Sequence, residues 1–568
     1  MNINIPLKPM AVAVASAVFL LGCMATDKDS ISRGDKQHVV KPAITQSTAS
    51  SELAEKSMRQ REASRKQKSH PAGVMAFSPP LHSADLSRIR PASQPVDREN
   101  YHHFDENSVK RVAEQPVSTF SIDVDTGAYA NVRRFLNHGS LPREDAVRVE
   151  ELVNYFSYEY PQPEGKHPFS VTTELSPTPW NKDTLLLHVG IQGKNIPTQN
   201  LPPANLVFLV DVSGSMRSAN KLQLLKTSMK LLSKQLRPQD KVSLVVYAGA
   251  SGVVLQPTPG DQTATIHQAL DQLTAGGSTN GAAGIKLAYQ MAQQGFVKEG
   301  INRVIIATDG DFNVGTTNFE ALIDLVEAKR KTGVSLTTLG FGMGNYNDHL
   351  MEQIANAGNG NHAYIDTLNE AQKVLVDEMS STLNTIAKDV KIQVEFNPSQ
   401  VAEYRLIGYE NRILKRENFN NDKIDAGEIG AGHSVTALYE VSLVGSKGNL
   451  NDPLRYNLRT RLEKSIKNNE LAFLRLRYKQ PDGDKSTLVE QAINRNHVQT
   501  DIAKTSDRFR FSASVAAFGQ QLRGADYLKG YGYSEILELA RESRGNDPFG
   551  YRGEFVKLVN LAKSLASQ

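Results

Sequence analysis

Leu206-Val207-Phe208-Leu209-Val210, running into Asp211-Val212-Ser213-Gly214-Ser215, decides how this chain is to be read. Five consecutive apolar residues that run into an acid read as a fully buried strand. In extended backbone, residues i, i+2 and i+4 point the same way. Asp211, Ser213 and Ser215 therefore present one carboxylate and two hydroxyls to a common point at the end of the strand. Such an oxygen-only set suits a hard divalent cation such as Mg²⁺ and lacks the sulphur and nitrogen that structural zinc prefers. Taken alone, the five residues also fit a turn around a hydrogen-bonded aspartate.

From about 201 to 388 apolar strand-like runs alternate with helix-like stretches, at 206–210, 241–247, 302–308, 334–340 and 361–365. Alternation of this kind predicts a mostly parallel sheet covered by helices on both faces. Leu222, Leu225, Met229, Leu232 and Leu236 keep the spacing of an amphipathic helix packed on such a sheet. The short run Gly252 to Leu255 reads as an antiparallel edge strand. In a doubly wound sheet of order 3-2-1-4-5-6 the first and fourth strands flank the topological switch point, where ligands bind. With the edge strand counted, Asp211 ends the first strand and Asp309 follows the fourth.

Two further segments accompany Asp211: the loop Gly276-Gly-Ser-Thr279-Asn-Gly281, and Arg303-Val-Ile-Ile-Ala-Thr308-Asp309-Gly310. Together the three resemble the metal-ion-dependent adhesion site of von Willebrand factor A (VWA) domains. The resemblance implies a doubly wound, Rossmann-like VWA sheet in which Asp211, Ser213, Ser215 and Thr279 contact or closely approach a metal. It implies that Asp309 acts directly or through water. The cation implied is Mg²⁺, or another divalent ion such as Mn²⁺ or Ca²⁺. A rival reading of Asp309 to Glu320 as an EF-hand loop meets Val314 where that loop requires glycine, and its approach is strand-like rather than helical. Gly340-Phe-Gly342-Met-Gly344 reads as an ordinary loop rather than a phosphate loop.

Upstream, residues 101–200 mix strands at 117–123, 169–174 and 185–190 with helical stretches around Tyr129 to Leu136 and Val147 to Phe156. Asp123-Val-Asp125-Thr126 reads as a turn with Asp125 or Thr126 capping a helix. Downstream, residues 389–568 turn β-rich, at 390–396, 401–409, 434–444 and 472–478, and end in a helical tail at 511–522, 534–542 and 553–566. Glu428 and His433 read as part of a polar β-turn. The stretches Phe120 to Tyr129, Arg148 to Phe156, Tyr404 to Asn411 and Asp425 to Glu440 resemble the YfbK-type bacterial VWA lipoproteins. The expected organisation is thus an N-terminal α+β region over 101–200, a VWA domain over 201–388, and a C-terminal β-rich domain over 389–568.

The chain opens with Lys8, an apolar run Met10 to Leu21 too short to span a bilayer, and Leu20-Leu21-Gly22-Cys23. Residues 1–22 read as a lipoprotein signal peptide. The chain's single cysteine, Cys23, is the expected lipidation point, by resemblance to the bacterial lipobox, and it leaves no disulfide framework. By the same resemblance Met24 favours the outer membrane, facing the periplasm, over the inner membrane. Residues 23–100, poor in aromatics and broken by prolines, read as a disordered tether. Its basic run Lys56 to Lys68 reads as a solvated charged stretch. A net charge of +4 over 568 residues gives no reason to expect nucleic-acid binding.

The function expected from all this is binding of a protein partner whose Asp or Glu completes the metal's coordination, on a molecule held to a membrane by its lipid. No enzyme is expected: there is no Gly-x-Ser-x-Gly elbow, His-Glu-x-x-His motif or Walker loop. A non-adhesive envelope scaffold or assembly factor is the alternative, with an envelope hydrolase behind it.

Overall fold

Ala204–Asp211 (β1) lies at the middle of a six-stranded sheet because every one of its residues is buried, so both its faces must be covered. Lys241–Tyr247 (β2), Ser251–Pro259 (β3), Ile301–Thr308 (β4), Ser335–Phe341 (β5) and His362–Ile365 (β6) complete it in the order β3-β2-β1-β4-β5-β6. All neighbours are parallel except the hairpin β2–β3. This is the doubly wound VWA sheet that the sequence predicts, with its switch point between β1 and β4. The computed structural model describes residues 98–310, 319–452 and 469–567. The expected signal peptide, Cys23, the basic run and the tether up to residue 97 lie outside the described residues, as do residues 311–318 of the rejected EF-hand loop.

Alternation along β1 sorts its side chains between two cores. Leu206, Phe208 and Val210 pack with Leu222, Leu225, Met229 and Leu232 on one face. Val207 and Leu209 pack with Ile285, Ala288 and Met291 of helix Gly281–Gln294 on the other. Each such fully buried aliphatic side chain contributes about 1.5–3 kcal/mol relative to exposure. Helix Gly281–Gln294 lies close on the sheet at Gly284, where a Cβ would come within 2.9 Å of Tyr247 Cβ and 3.0 Å of Leu209 Cδ1.

The segments on either side of this domain share two antiparallel sheets. The first runs Lys110–Arg111, Val401–Ile407, Ser434–Leu443, Asn181–Gly193, Phe169–Thr178. In the second, Thr385–Phe396 pairs with Glu470–Lys479, which pairs with Ser486–Asn494. The other edge of Thr385–Phe396 carries Gly427–Gly430 and Val117–Ser121. Leu187, Val189 and Tyr439 face the core between the sheets. Their neighbours Leu186 and Leu438 face a helical layer built from Gly127–Asn137, Val149–Asn154, Asp507–Leu522, Tyr533–Glu542 and Tyr551–Ala566. Residues 101–200 and 389–568 interleave strand by strand into one sandwich with a helical cover. The VWA domain is inserted between its strands.

Buried ion clusters lock the insert to this frame. Arg133 Nε and Nη2 donate to Asp366 at 2.8 and 2.5 Å, Nη2 to Glu370 at 2.7 Å, and Nη1 to Glu554 at 2.9 Å. Arg148 pairs with Glu151 and Asp348, and Arg412 with Asp123, Asp125 and Glu352. These contacts revise the expected cap. The turn does precede helix Gly127–Asn137, but neither Asp125 nor Thr126 makes a side-chain cap bond. Asp125 Oδ1 instead accepts from the His362 amide at 2.8 Å. A tertiary partner in a buried site outweighs the local bond.

Candidate functional site

The carboxyl ends of β1 and β4 meet because Val210 registers with Ala307, which sets Asp211 beside Thr308 and Asp309. Asp211 and Asp309 are fully buried, Ser213 nearly so, and Ser215 is exposed. Asp211 Oδ1 accepts from the Ser213 amide at 2.8 Å. Its Oδ2 accepts from Thr308 Oγ1 at 2.9 Å and Tyr247 Oη at 3.2 Å. The hydroxyls of Ser213 and Ser215 lie 2.9 Å apart, as the i, i+2 spacing predicts. Burial pushes the Asp211 carboxyl up to about 6, and the neighbouring Asp309 charge adds to this against the hydrogen bonds from Ser213 and Thr308.

The third segment arrives by backbone bonds. Gly214 N donates to Gly277 O at 3.0 Å and Gly276 N to Val212 O at 2.8 Å, so the 276–281 loop lies along the Asp211–Ser215 turn. Thr279, two residues beyond Gly277, is half-buried at the head of helix Gly281–Gln294. The structure thus brings Asp211, Ser213, Ser215 and Asp309 to one sheet edge and lays the loop that carries Thr279 along the Asp211–Ser215 turn. Direct contacts link Asp211 with Ser213 and Ser213 with Ser215. Cys23 lies outside the described residues.

Several participants escape a sequence reading. Lys221 sits in a wide π-type turn, Ala219–Gln223, ahead of helix Leu224–Ser233, and is 6% exposed. Its ammonium donates to Asp309 Oδ2 at 2.8 Å and to Asn345 Oδ1 at 3.0 Å. Asn345 belongs to a loop pinned by the strap at residues 98–101. Arg98 N donates to Gly344 O at 3.0 Å, Asn100 N to Tyr346 O at 2.9 Å, and Gly344 N to Glu99 Oε1 at 2.8 Å. No linear pattern marks Lys221, since a lysine beside an amphipathic helix reads as solvent-facing. Tyr247 and Thr308 are hidden inside apolar strands.

A divalent cation fits the chemistry of this set. Asp211 is a buried carboxylate whose hydrogen-bond donors are all neutral, an arrangement that is costly without a counter-charge. Among the described residues no three His, Cys, Asp or Glu converge on a metal position, and the described oxygen donors are two carboxylates and hydroxyls.

Comparison with known proteins divides the chain at similar places. Residues 95–188 match the family model described as von Willebrand factor, 205–378 that of the von Willebrand factor type A domain, and 381–565 that of Uncharacterized protein YfbK, C-terminal. The chain is 50% identical over 469 residues to Uncharacterized protein YfbK of Escherichia coli (strain K12), covering 81% of this chain and 80% of that protein. It is 29% identical over 185 residues to the inter alpha-trypsin inhibitor heavy chain 4 of Mus musculus, covering 31% of this chain and 19% of that one. Among solved structures, the von Willebrand factor type A protein from Catenulispora acidiphila aligns with 68% of this chain and 89% of its own, at 14% identity and a TM-score of 0.39.

Proposed function

Because the chain belongs to the YfbK family and carries a von Willebrand factor type A domain at its centre, we propose that it captures a protein partner through a divalent cation. In this reading Asp211, Ser213, Ser215, Thr279 and Asp309 hold the cation, Mg²⁺ or a similar hard ion, and an Asp or Glu of the partner completes its shell. The observation that carries the reading is Asp211: a buried carboxylate at the switch point, bonded only to neutral donors, beside a second acid and two paired hydroxyls. When bound, the cation supplies an open coordination position of positive charge. The chain's own work is to orient Asp211 through Thr308 and Tyr247, and to present Ser215 at the surface. No covalent step is involved.

We further propose a place for the molecule. Cys23 carries the lipid and anchors the molecule in the cell envelope, with the outer membrane facing the periplasm as the expected location. Support comes from Leu20-Leu21-Gly22-Cys23 and Met24.

One observation favours the alternative, a scaffold that needs no metal: Lys221 already gives Asp309 a counter-charge. The experiment that separates the two is retention of envelope proteins by the immobilised wild type and by Asp211→Ala, with Mg²⁺ and with EDTA. Adhesion requires a retained protein that both EDTA and Asp211→Ala release. Identical retention in all four conditions supports the scaffold.

A further inference from the structure

Lys221 is buried against the proposed site without belonging to the expected ligand set, and its placement is built rather than incidental. The π-type turn at Ala219–Gln223 carries it inward just before the helix becomes regular. Wide turns of this kind recur at functional positions. Its aliphatic stem crosses Gly342, where a Cβ would lie 2.2 Å from Lys221 Cε and 2.5 Å from Cγ. Gly342 has φ +78°, a conformation that a side chain rarely adopts, so the glycine both permits the loop and leaves the channel for the lysine. At the end of that channel the ammonium lies between Asp309 and Asn345. Asp211, by contrast, is served by neutral donors.

We propose that Lys221 is a built-in counter-cation of Asp309 that weakens the site's hold on its metal and sharpens its demand for an acidic partner. The inference rests on the cation-dependent reading of the same site. With Asp211, Asp309 and Lys221 all charged, the protein set carries one net negative charge rather than two. A divalent cation then leaves one unit of positive charge at the site, and one carboxylate from outside neutralises it. Without the lysine, the two aspartates alone balance the cation, and an incoming carboxylate drives the site negative. In a buried environment Coulomb terms are only weakly damped. Lys221 therefore lowers affinity for the free cation and raises the affinity of the loaded site for acidic groups.

The test uses the full chain as wild type, Lys221→Met, Lys221→Gln, Lys221→Arg and Asp211→Ala. Mg²⁺ affinity is measured by calorimetry and by the Mg²⁺-dependent rise in melting temperature, in chloride and then in acetate at constant ionic strength. Lys221→Met and Lys221→Gln are expected to bind Mg²⁺ at least tenfold more tightly than wild type, and Lys221→Arg within threefold of it. Acetate is expected to tighten Mg²⁺ binding to wild type and to Lys221→Arg but not to the neutral variants. The neutral variants should melt lower than wild type in EDTA and recover with Mg²⁺, which separates lost charge from failed folding. If wild type binds Mg²⁺ in an Asp211-dependent way and the neutral variants bind it no more tightly, Lys221 has no such role and the adhesion site stands. If no variant shows Mg²⁺ binding that Asp211→Ala removes, both the cation site and this role of Lys221 fall.

Discussion

Replacing Arg133 with methionine should remove about 4 kcal/mol of stability at neutral pH and far less in mild acid. Arg133 bridges the helical layer, the end of the VWA domain and the last helix, through Asp366, Glu370 and Glu554. The Asp366 and Glu370 side chains are 5% and 1% exposed, whereas Glu554 at 35% can turn to water. Methionine keeps most of the stem's packing and leaves two buried carboxylates facing each other without their cation. The least costly response is for one to take a proton. For an aspartate with an ordinary value near 3.9, protonation at pH 7 costs about 1.36 kcal/mol for each of ~3 pH units, or ~4 kcal/mol. That figure lies within the ~3–5 kcal/mol typical of a broken buried pair. At pH 5 the same step costs only ~1.5 kcal/mol. The assay is urea unfolding at both pH values, followed by fluorescence of the chain's one tryptophan, Trp180, which is buried in the helical layer. A loss below about 1 kcal/mol at pH 7, or a loss equal at the two pH values, would mean that no buried carboxylate is forced to take a proton when Arg133 is removed.

Two other perturbations follow from the same geometry. Burial, with the Arg508 charge adding to it, pulls His188 down to about 3, and its ring bonds to Tyr160 and Ser512 as a neutral imidazole. The unfolded chain takes up that proton near pH 6.5, so the histidine's contribution is complete above 6.5 and is lost as pH falls toward 3. Wild type should therefore lose about 2 kcal/mol more than His188→Gln between pH 7.5 and 5, read from urea midpoints; parallel losses would contradict this. Gly284→Val should cost about 1–3 kcal/mol by forcing helix Gly281–Gln294 off Tyr247 and Leu209. An unchanged urea midpoint would show that the helix can shift freely.

The centre of the sheet was legible in the sequence because Ala204–Asp211 and Ile301–Thr308 are buried along their whole length and so carry long apolar runs. The strand expected at 241–247 lies there, and 206–210 extends only to Ala204–Asp211. Most of the longer strands of the frame were legible one by one, but their pairing was not. Phe120 registers with Ile392 and His188 with Leu438, and nothing local encodes partners so far apart. Ser486–Asn494 carried no readable period, since it is an edge strand with much of its length in contact with water. At the candidate site, the ends of strands revealed Asp211 and Asp309. The counter-charge on Asp309 was invisible, because only a widened turn aims Lys221 inward.

The insertion of one domain between the strands of another also sets an order of assembly. A Cβ at Gly193 would lie 3.0 Å from Ile386 Cδ1, so the chain leaves the frame and returns to it at nearly the same point. Pairing the frame first would mean closing a coil of roughly 190 residues, whereas a folded insert shrinks that coil to a short bridge. Five halvings of loop length at ~0.6 kcal/mol each amount to about 3 kcal/mol of closure entropy removed. During synthesis the insert emerges before Thr385–Phe396 and Ser434–Leu443 exist, while Asn181–Gly193 waits with an open edge. A lesion that slows folding of the insert is therefore expected to surface as aggregation of the frame, through an unpaired strand well away from the altered residue.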